Sequence, residues 1–453
     1  MFIKQFYTNC LAEAAYYIES AGQAAVIDPL RDINAYIELA KERGAEIKFI
    51  FETHFHADFV SGHLDLASAT GGQIVYGPTA KADFEFHEAS DNEEFKLGNV
   101  IIQALHTPGH TMESTSFLLY DESNHPHAIF TGDTLFVGDV GRPDLAANAN
   151  MDSKDLAGML YDSIQNKILN LPNSVIVFPG HGAGSQCGKN LGEETASTIG
   201  TQRRTNYALA QESKEDFVRA VTDELLPPPQ YFFKNAAINK SGYDALDKVL
   251  DRELVPLSVK QFKNEMQNGT LVIDSRHSSE YCNAHIPGSI NIGSNGFFAV
   301  WVGTLIEELD TPIVIVAEQG KEEEMITRLA RVGYENVRGY LLGGIESWMA
   351  AREKVEQLPS INAAEFQERQ DDYLVIDVRN PGEYEPNMFR NSKNIPLSNF
   401  KNEIAELPDE PMYLVCKSGY RSAIAGSIME SLGRKNFKNI TGGVDAFNQP
   451  ISV

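Results

Sequence analysis

A chain of 453 residues is long enough for several domains, each with a buried core. Its composition, 42% hydrophobic and 22% charged, is that of a soluble globular protein, and no apolar run approaches the ~20 residues of a membrane span. A net charge of −25 argues against nucleic acid or an anionic membrane as partners, since both demand basic surface. No basic stretch leads into an apolar one at the N-terminus, so no signal peptide is expected. The cysteines, at positions 10, 187, 282 and 416, are too scattered for a disulfide framework and point to a reducing cytoplasm.

Short apolar runs alternate with polar loops over residues 1–225. The runs 24–28, 47–51, 100–105, 128–130 and 175–178 predict buried strands, and the spacing over 34–43 and 62–68 predicts helices. From Ile47 onward each predicted strand delivers a polar cluster at its end: His54, His56 and Asp58, then His110, then Asp133, then His181. Imidazoles and carboxylates supplied by loops at one edge of a sheet structure suit a divalent metal, which needs neutral nitrogens and charged oxygens aimed at one point. Arg142 follows the Asp133 loop. Its planar fork either binds a carboxylate or phosphate of a substrate or closes a salt bridge within the loop. Cys187 lies six residues beyond His181 and either faces the substrate or is a small buried hydrophobe. His63, His87, His106, His125 and His127 are read as packing or surface residues.

A helical stretch over 203–225 is expected to stop at Pro227-Pro228-Pro229, which cannot continue it. Residues 230–243 then either pack back over the first domain or serve as a plain connector. Beyond them the chain repeats itself. Leu271-Val-Ile-Asp274-Ser-Arg276 returns as Leu374-Val-Ile-Asp377-Val-Arg379, and Gly343-Gly344 returns as Gly442-Gly443, about 100 residues on. Each copy carries a second apolar run, at 313–316 and 412–415, ahead of a helix-length segment. Such units read as small α/β domains with parallel sheets. The expected domains are 1–245, 250–354 and 355–453.

The loop after the second run is where the copies differ. In the later copy Cys416-Lys417-Ser418-Gly419-Tyr420-Arg421 places a thiol against successive backbone N–H groups at a helix start, with two cations nearby. That suits a nucleophile accepting sulfur from an anionic donor. The earlier copy has Ala317-Glu318-Gln319-Gly320-Lys321 followed by three glutamates and no cysteine, and Cys282 lies in another segment. It is read as catalytically empty.

His54-Phe-His56-Ala-Asp58, then His110, Asp133 and His181, resemble in order and spacing the metallo-β-lactamase superfamily, which implies an αββα sandwich. The motif departs at Phe59, where two-metal members have a histidine that binds the second metal. Cys416 to Ser422, with Asp377-Val-Arg379 and Gly442-Gly443, resembles the rhodanese family, with Cys416 the residue that becomes a persulfide; Met388 stands near where that family usually has a histidine. The whole order resembles bacterial persulfide dioxygenase–rhodanese fusions. That resemblance implies one Fe(II) on His54, His110 and Asp133, with His56, Asp58 and His181 orienting ligands or water. A zinc site on His54, His56 and His110 is the competing arrangement, and a zinc thioesterase fused to a rhodanese the competing function. The implied substrates are O2 and a small thiol persulfide of the glutathione, coenzyme A or bacillithiol type. Sulfite and thiosulfate are the products or partners, as in sulfide detoxification. The resemblance also allows a homo-oligomer.

Overall fold

The computed structural model describes residues 1–147, 151–189, 191–223, 225, 227–369 and 373–447. It divides the chain into two compact units, Met1–Lys248 with Ala330–Gly333, and Val249–Leu329 with Tyr334–Val453. No helix among the described residues is long and apolar enough to cross a membrane.

The first unit contains two six-stranded sheets. One runs in sequence order through Phe2–Thr8, Glu13–Ser20, Gln23–Ile27, Glu46–Phe51, Gln73–Tyr76 and His87–Glu88. The other takes Ser197–Thr198, Ile176–Pro179, Pro126–Gly132, Thr115–Tyr120, Val100–His106 and Glu94–Leu97 in that order. Period-2 alternation sorts each strand's side chains between the two faces. Tyr16, Ile18 and Phe51 from one sheet meet Ile102, Phe117 and Phe130 from the other in a shared core. The alternate residues Tyr17, Val26 and Ile50 pack outward on Tyr36 and Leu66 of the helices Asn34–Arg43 and His63–Thr70. Leu118, Ile129 and Val177 do the same against Ala157 and Leu160 of the helix Ser153–Ser163. The layers are helix, sheet, sheet, helix.

One segment differs from expectation, and another takes one of the two forms expected of it. The stretch 203–225 is not one helix: Ile199–Thr205 and Lys214–Thr222 are separate. The break falls at Asn206, whose side-chain amide donates to the Asp139 carbonyl (2.9 Å) while its oxygen accepts the Ala208 N–H (3.0 Å). A side chain that bonds the backbone in this way competes with helix continuation. Residues 230–243 form a helix, Tyr231–Ser241, that packs back on the first unit. Asn239 donates to the carbonyls of His56 (2.7 Å) and Phe59 (2.8 Å) and accepts the Ser61 N–H (2.9 Å).

The second unit holds two five-stranded parallel sheets of the same plan. Pro256–Leu257, Val337–Leu341, Ile313–Val316, Leu271–Asp274 and Ile290–Asn291 lie side by side in one. Ser360–Ile361, Phe437–Ile440, Met412–Val415, Leu374–Asp377 and Ser392–Asn394 form the other. In each copy the central strand, Ile313–Val316 or Met412–Val415, is buried along its whole length, as parallel strands covered on both faces are.

Candidate metal centre and thiol loop

Strand register explains how distant clusters meet. Gln23–Ile27 and Glu46–Phe51 are parallel neighbours ending together, so Asp28 lies beside the loop that begins at Glu52. In the other sheet Pro126–Gly132 is parallel to Ile176–Pro179, which brings Asp133 beside His181. The Thr115 N–H donates to the Thr53 carbonyl (2.8 Å) and so joins the ends of the two sheets. Gly132 has φ +48°, and a Cβ there would meet Thr53 Oγ1 at 2.4 Å, so only glycine permits this approach.

His54, His110 and Asp133 are all buried, and one donor atom of each lies within 4.8 Å of the others. The Nε2 atoms of His54 and His110 stand 3.9 and 3.5 Å from Asp133 Oδ2. In each imidazole the other nitrogen is occupied. His110 Nδ1–H donates to the Arg142 carbonyl (2.9 Å), and His181 Nδ1–H to the Ala12 carbonyl (3.2 Å). His54 Nδ1–H donates to Thr53 Oγ1 (2.9 Å), whose own proton goes to Asp28 Oδ2 (2.8 Å). These bonds fix the tautomers and leave Nε2 as a lone pair facing inward. Burial, then the neighbouring imidazoles, hold the His54 pKa well below its ordinary value, so this ring is neutral.

Both Asp133 oxygens, His181 Nε2 and Asp58 Oδ1 are buried without hydrogen-bond partners among the described residues. Orphaned acceptors converging on one point are costly unless a cation satisfies them, and this donor set fits a divalent metal. His181 Nε2 is 3.4 Å from Asp58 Oδ2 and 3.5 Å from Asp133 Oδ1. His56, Asp58 and His181 form a second group beside the first. His56 Nε2 lies 3.2 Å from Asp28 and 3.5 Å from Glu52. Burial alone would lower its pKa, but Asp28, then Glu52 and Asp58, outweigh burial and raise it to about 10. The Phe59 ring lies against His56, with centroids 4.3 Å apart.

Of the two less certain residues, Arg142 is 4% exposed and its fork is turned onto Asp144 of its own loop (2.7 and 3.0 Å). The geometry is that of the loop salt bridge. Cys187 is buried within ligand distance of Asp133 and His181, and burial, then Asp58 and Asp133, push its thiol well above the ordinary range. Sequence reasoning passed over Asp28, Glu52 and Thr53. It also passed over Glu13, a buried carboxyl raised well above the usual range by desolvation, and took His63 for packing. His63 is fully buried, its Nδ1 3.6 Å from Glu52, with burial pushing it down to about 3. Asp28 ends a strand as Asp133 does, and that was the available signal.

In the second unit Cys416 follows Met412–Val415 and precedes the helix Tyr420–Ser431. Gly419, at φ +90°, turns its N–H onto Cys416 Sγ (3.1 Å), and Ser422 Oγ lies 3.4 Å away. The earlier copy makes the same turn at Gly320, φ +83°, but its N–H is donated to Glu322 Oε2 (2.8 Å). A carboxylate of the helix's first turn thus accepts the bond that the thiol takes in the later copy. Lys417 is exposed, whereas Arg421 is not a free cation: it forms a two-pronged bond to Glu383 (2.7 Å each).

Residues 8–181 match the metallo-beta-lactamase superfamily, and residues 258–351 and 362–450 each match the rhodanese-like domain. The chain belongs to the metallo-β-lactamase superfamily and carries two rhodanese-like domains behind that fold. A crystal structure of a metallo-beta-lactamase from Staphylococcus aureus subsp. aureus COL superposes with a TM-score of 0.66 at 33% identity, covering 76% of this chain and 98% of that one. A probable hydroxyacylglutathione hydrolase of Schizosaccharomyces pombe is 33% identical over 167 residues, 36% of this chain and 60% of that protein. The mitochondrial persulfide dioxygenase ETHE1 of Bos taurus is 30% identical over 210 residues, 46% of this chain and 74% of that protein.

Proposed function

We propose that the first unit oxidises a small thiol persulfide with O2 to sulfite at one non-haem iron, and that Cys416 transfers sulfane sulfur to or from thiosulfate. The observation that carries the reading is the grouping of two imidazoles and one carboxylate beside a position filled by Phe59. A 2-His-1-carboxylate face leaves coordination positions open for O2 and a sulfur; zinc hydrolases also use two histidines and a carboxylate, so metal identity and O2 uptake separate the two readings. His56 turns its Nε2 to Asp28 and Glu52, and its Nδ1 has no hydrogen-bond partner among the described residues, so it stays available to the competing zinc arrangement.

In this reading His54, His110 and Asp133 hold the metal. A ferrous ion there supplies the open positions and the one-electron chemistry that O2 requires. The chain's own part is to orient and exclude. Thr53, the Arg142 carbonyl and the Ala12 carbonyl fix three rings. Phe59 packs on the His56 ring and offers no donor atom to a second ion. His181 and Asp58 stand over Asp133, where they can hold water or a sulfur-bound proton. Cys416 reacts as a thiolate stabilised by the Gly419 N–H at the helix start.

The test is anaerobic purification with metal quantification, followed by oxygen-electrode assay with glutathione persulfide. The expected result is about one iron per chain and oxygen uptake with sulfite release. Zinc in place of iron, with hydrolysis of a glutathione thioester and no oxygen uptake, overturns the dioxygenase. It would establish the thioesterase that the hydroxyacylglutathione hydrolase relative favours.

A further inference from the structure

The two rhodanese-like copies enclose a cavity of about 630 Å³ beside the thiol loop. Its walls include segments of both copies and part of residues 357–360 between them. Ser279, Cys282 and Asn283 belong to the helix Ser278–Asn283 of the earlier copy, Ser418 and Gly419 to the Cys416 loop, and Asn439 to the strand Phe437–Ile440. Gly419 is the residue whose N–H bonds Cys416 Sγ, so this wall is continuous with the reacting group. Asn439 is 3% exposed, and its Oδ1 has no hydrogen-bond partner among the described residues. A buried amide oxygen left unsatisfied in a cavity wall calls for a donor from a ligand or water. The lining contains hydroxyls, amides, one thiol, the His277 imidazole and Leu358, with neither Lys, Arg, Asp nor Glu.

We propose that this cavity receives the small thiol that exchanges sulfur with Cys416, and that it selects a thiol carried on amides and hydroxyls over one carrying phosphates. A phosphate needs arginine, lysine or a ring of N–H donors, and in a chain of net charge −25 a polyanion without such partners is repelled. The empty copy then has a role: it supplies one wall of the acceptor's pocket. The inference rests on the sulfur-transfer reading of Cys416. In the first step the Cys416 thiolate attacks the outer sulfur of thiosulfate, the sulfur–sulfur bond breaks, and sulfite leaves with the electron pair. In the second the acceptor thiolate attacks the outer sulfur of the Cys416 persulfide. A new persulfide forms and the Cys416 thiolate returns.

The full chain separates the two steps. Sulfite release from thiosulfate, with a gain of one sulfur in the protein mass, reports the first. The KM for the acceptor thiol, measured with glutathione and with coenzyme A, reports the second. Cys282→Phe fills the cavity and is expected to raise the glutathione KM about tenfold while the first step proceeds unchanged. Asn283→Lys, at an exposed position that tolerates charge, is expected to lower the coenzyme A KM relative to that for glutathione. A Cys282→Phe protein of unchanged melting temperature and unchanged glutathione KM overturns the pocket. So does a parent chain that prefers coenzyme A. Failure of the first step in the parent chain instead overturns the sulfur-transfer reading itself.

Discussion

Thr53 carries more of the metal centre than its size suggests. Its hydroxyl proton goes to Asp28, so its oxygen can only accept, and the proton it accepts is that on His54 Nδ1. This chain of bonds dictates which nitrogen of His54 is free. Thr53→Val keeps the volume and β-branching but leaves both Asp28 Oδ2 and His54 Nδ1 without that partner. Loss of such an orienting bond typically weakens metal affinity about 10–100-fold. The expected outcome is therefore a loss of that size in a chelator competition, with near-native circular dichroism. An unchanged affinity would show that packing alone fixes the ring. Phe59 acts through what it lacks, since a phenyl ring offers no donor where a histidine would. Arg142 contributes its backbone carbonyl to His110 while its guanidinium stays with Asp144, so the residue is tied to the candidate site by its main chain.

At the scale of elements, loops at strand ends form both candidate centres. The Cys416 loop is held by the Gly419 turn, by the Val444 N–H on the Cys416 carbonyl (2.8 Å), and by Arg421 clasping Glu383. The hydrogen bonds from Arg421 pull the Glu383 carboxyl below the usual range despite its partial burial. A carboxyl depressed in the folded state stabilises the fold above its unfolded pKa of about 4.3, and that contribution disappears as pH falls through the lower, folded value. Glu383→Gln should thus melt below the parent at neutral pH, with the gap closing on acidification below about pH 4. Melting temperatures across that range check it, and a gap that widens in acid would refute the pairing. Much of this was legible in the sequence, because apolar runs ending in His, Asp or Cys announce strand-end sites. The edge strand Phe2–Thr8 and its neighbour Glu13–Ser20 were not, since Glu13-Ala-Ala-Tyr-Tyr-Ile is buried on both faces and shows no clean alternation. Nor were the partners of His56, because a carboxylate's direction depends on a register that sequence spacing does not contain. The pairing of Arg421 with Glu383 was hidden for the same reason: Glu383 is 38 residues away and only the fold brings it close.

Across the whole chain, one fold with a candidate metal centre and two copies of another, of which the later carries the Cys416 loop, are joined by continuous backbone. Covalent linkage alone raises the effective concentration of one centre's product at the other, whatever their arrangement. The two chemistries use separate residues, so they should separate by mutation. Cys416→Ser replaces sulfur with an oxygen that is no nucleophile at neutral pH, in a loop where Gly419 N–H can still bond it. Metal content and the initial rate of oxygen uptake with glutathione persulfide are expected to stay at parental values. The products should change. The parent chain is expected to convert part of its sulfite to thiosulfate using a second persulfide, and the variant to release sulfite alone. Separating the two anions by ion chromatography at equal oxygen consumption measures this directly. Thiosulfate formed by the variant at the parental rate would remove Cys416 from the reaction and leave the second unit without a catalytic part in it. A fall in oxygen uptake would instead show that the metal centre depends on sulfur handled by the thiol.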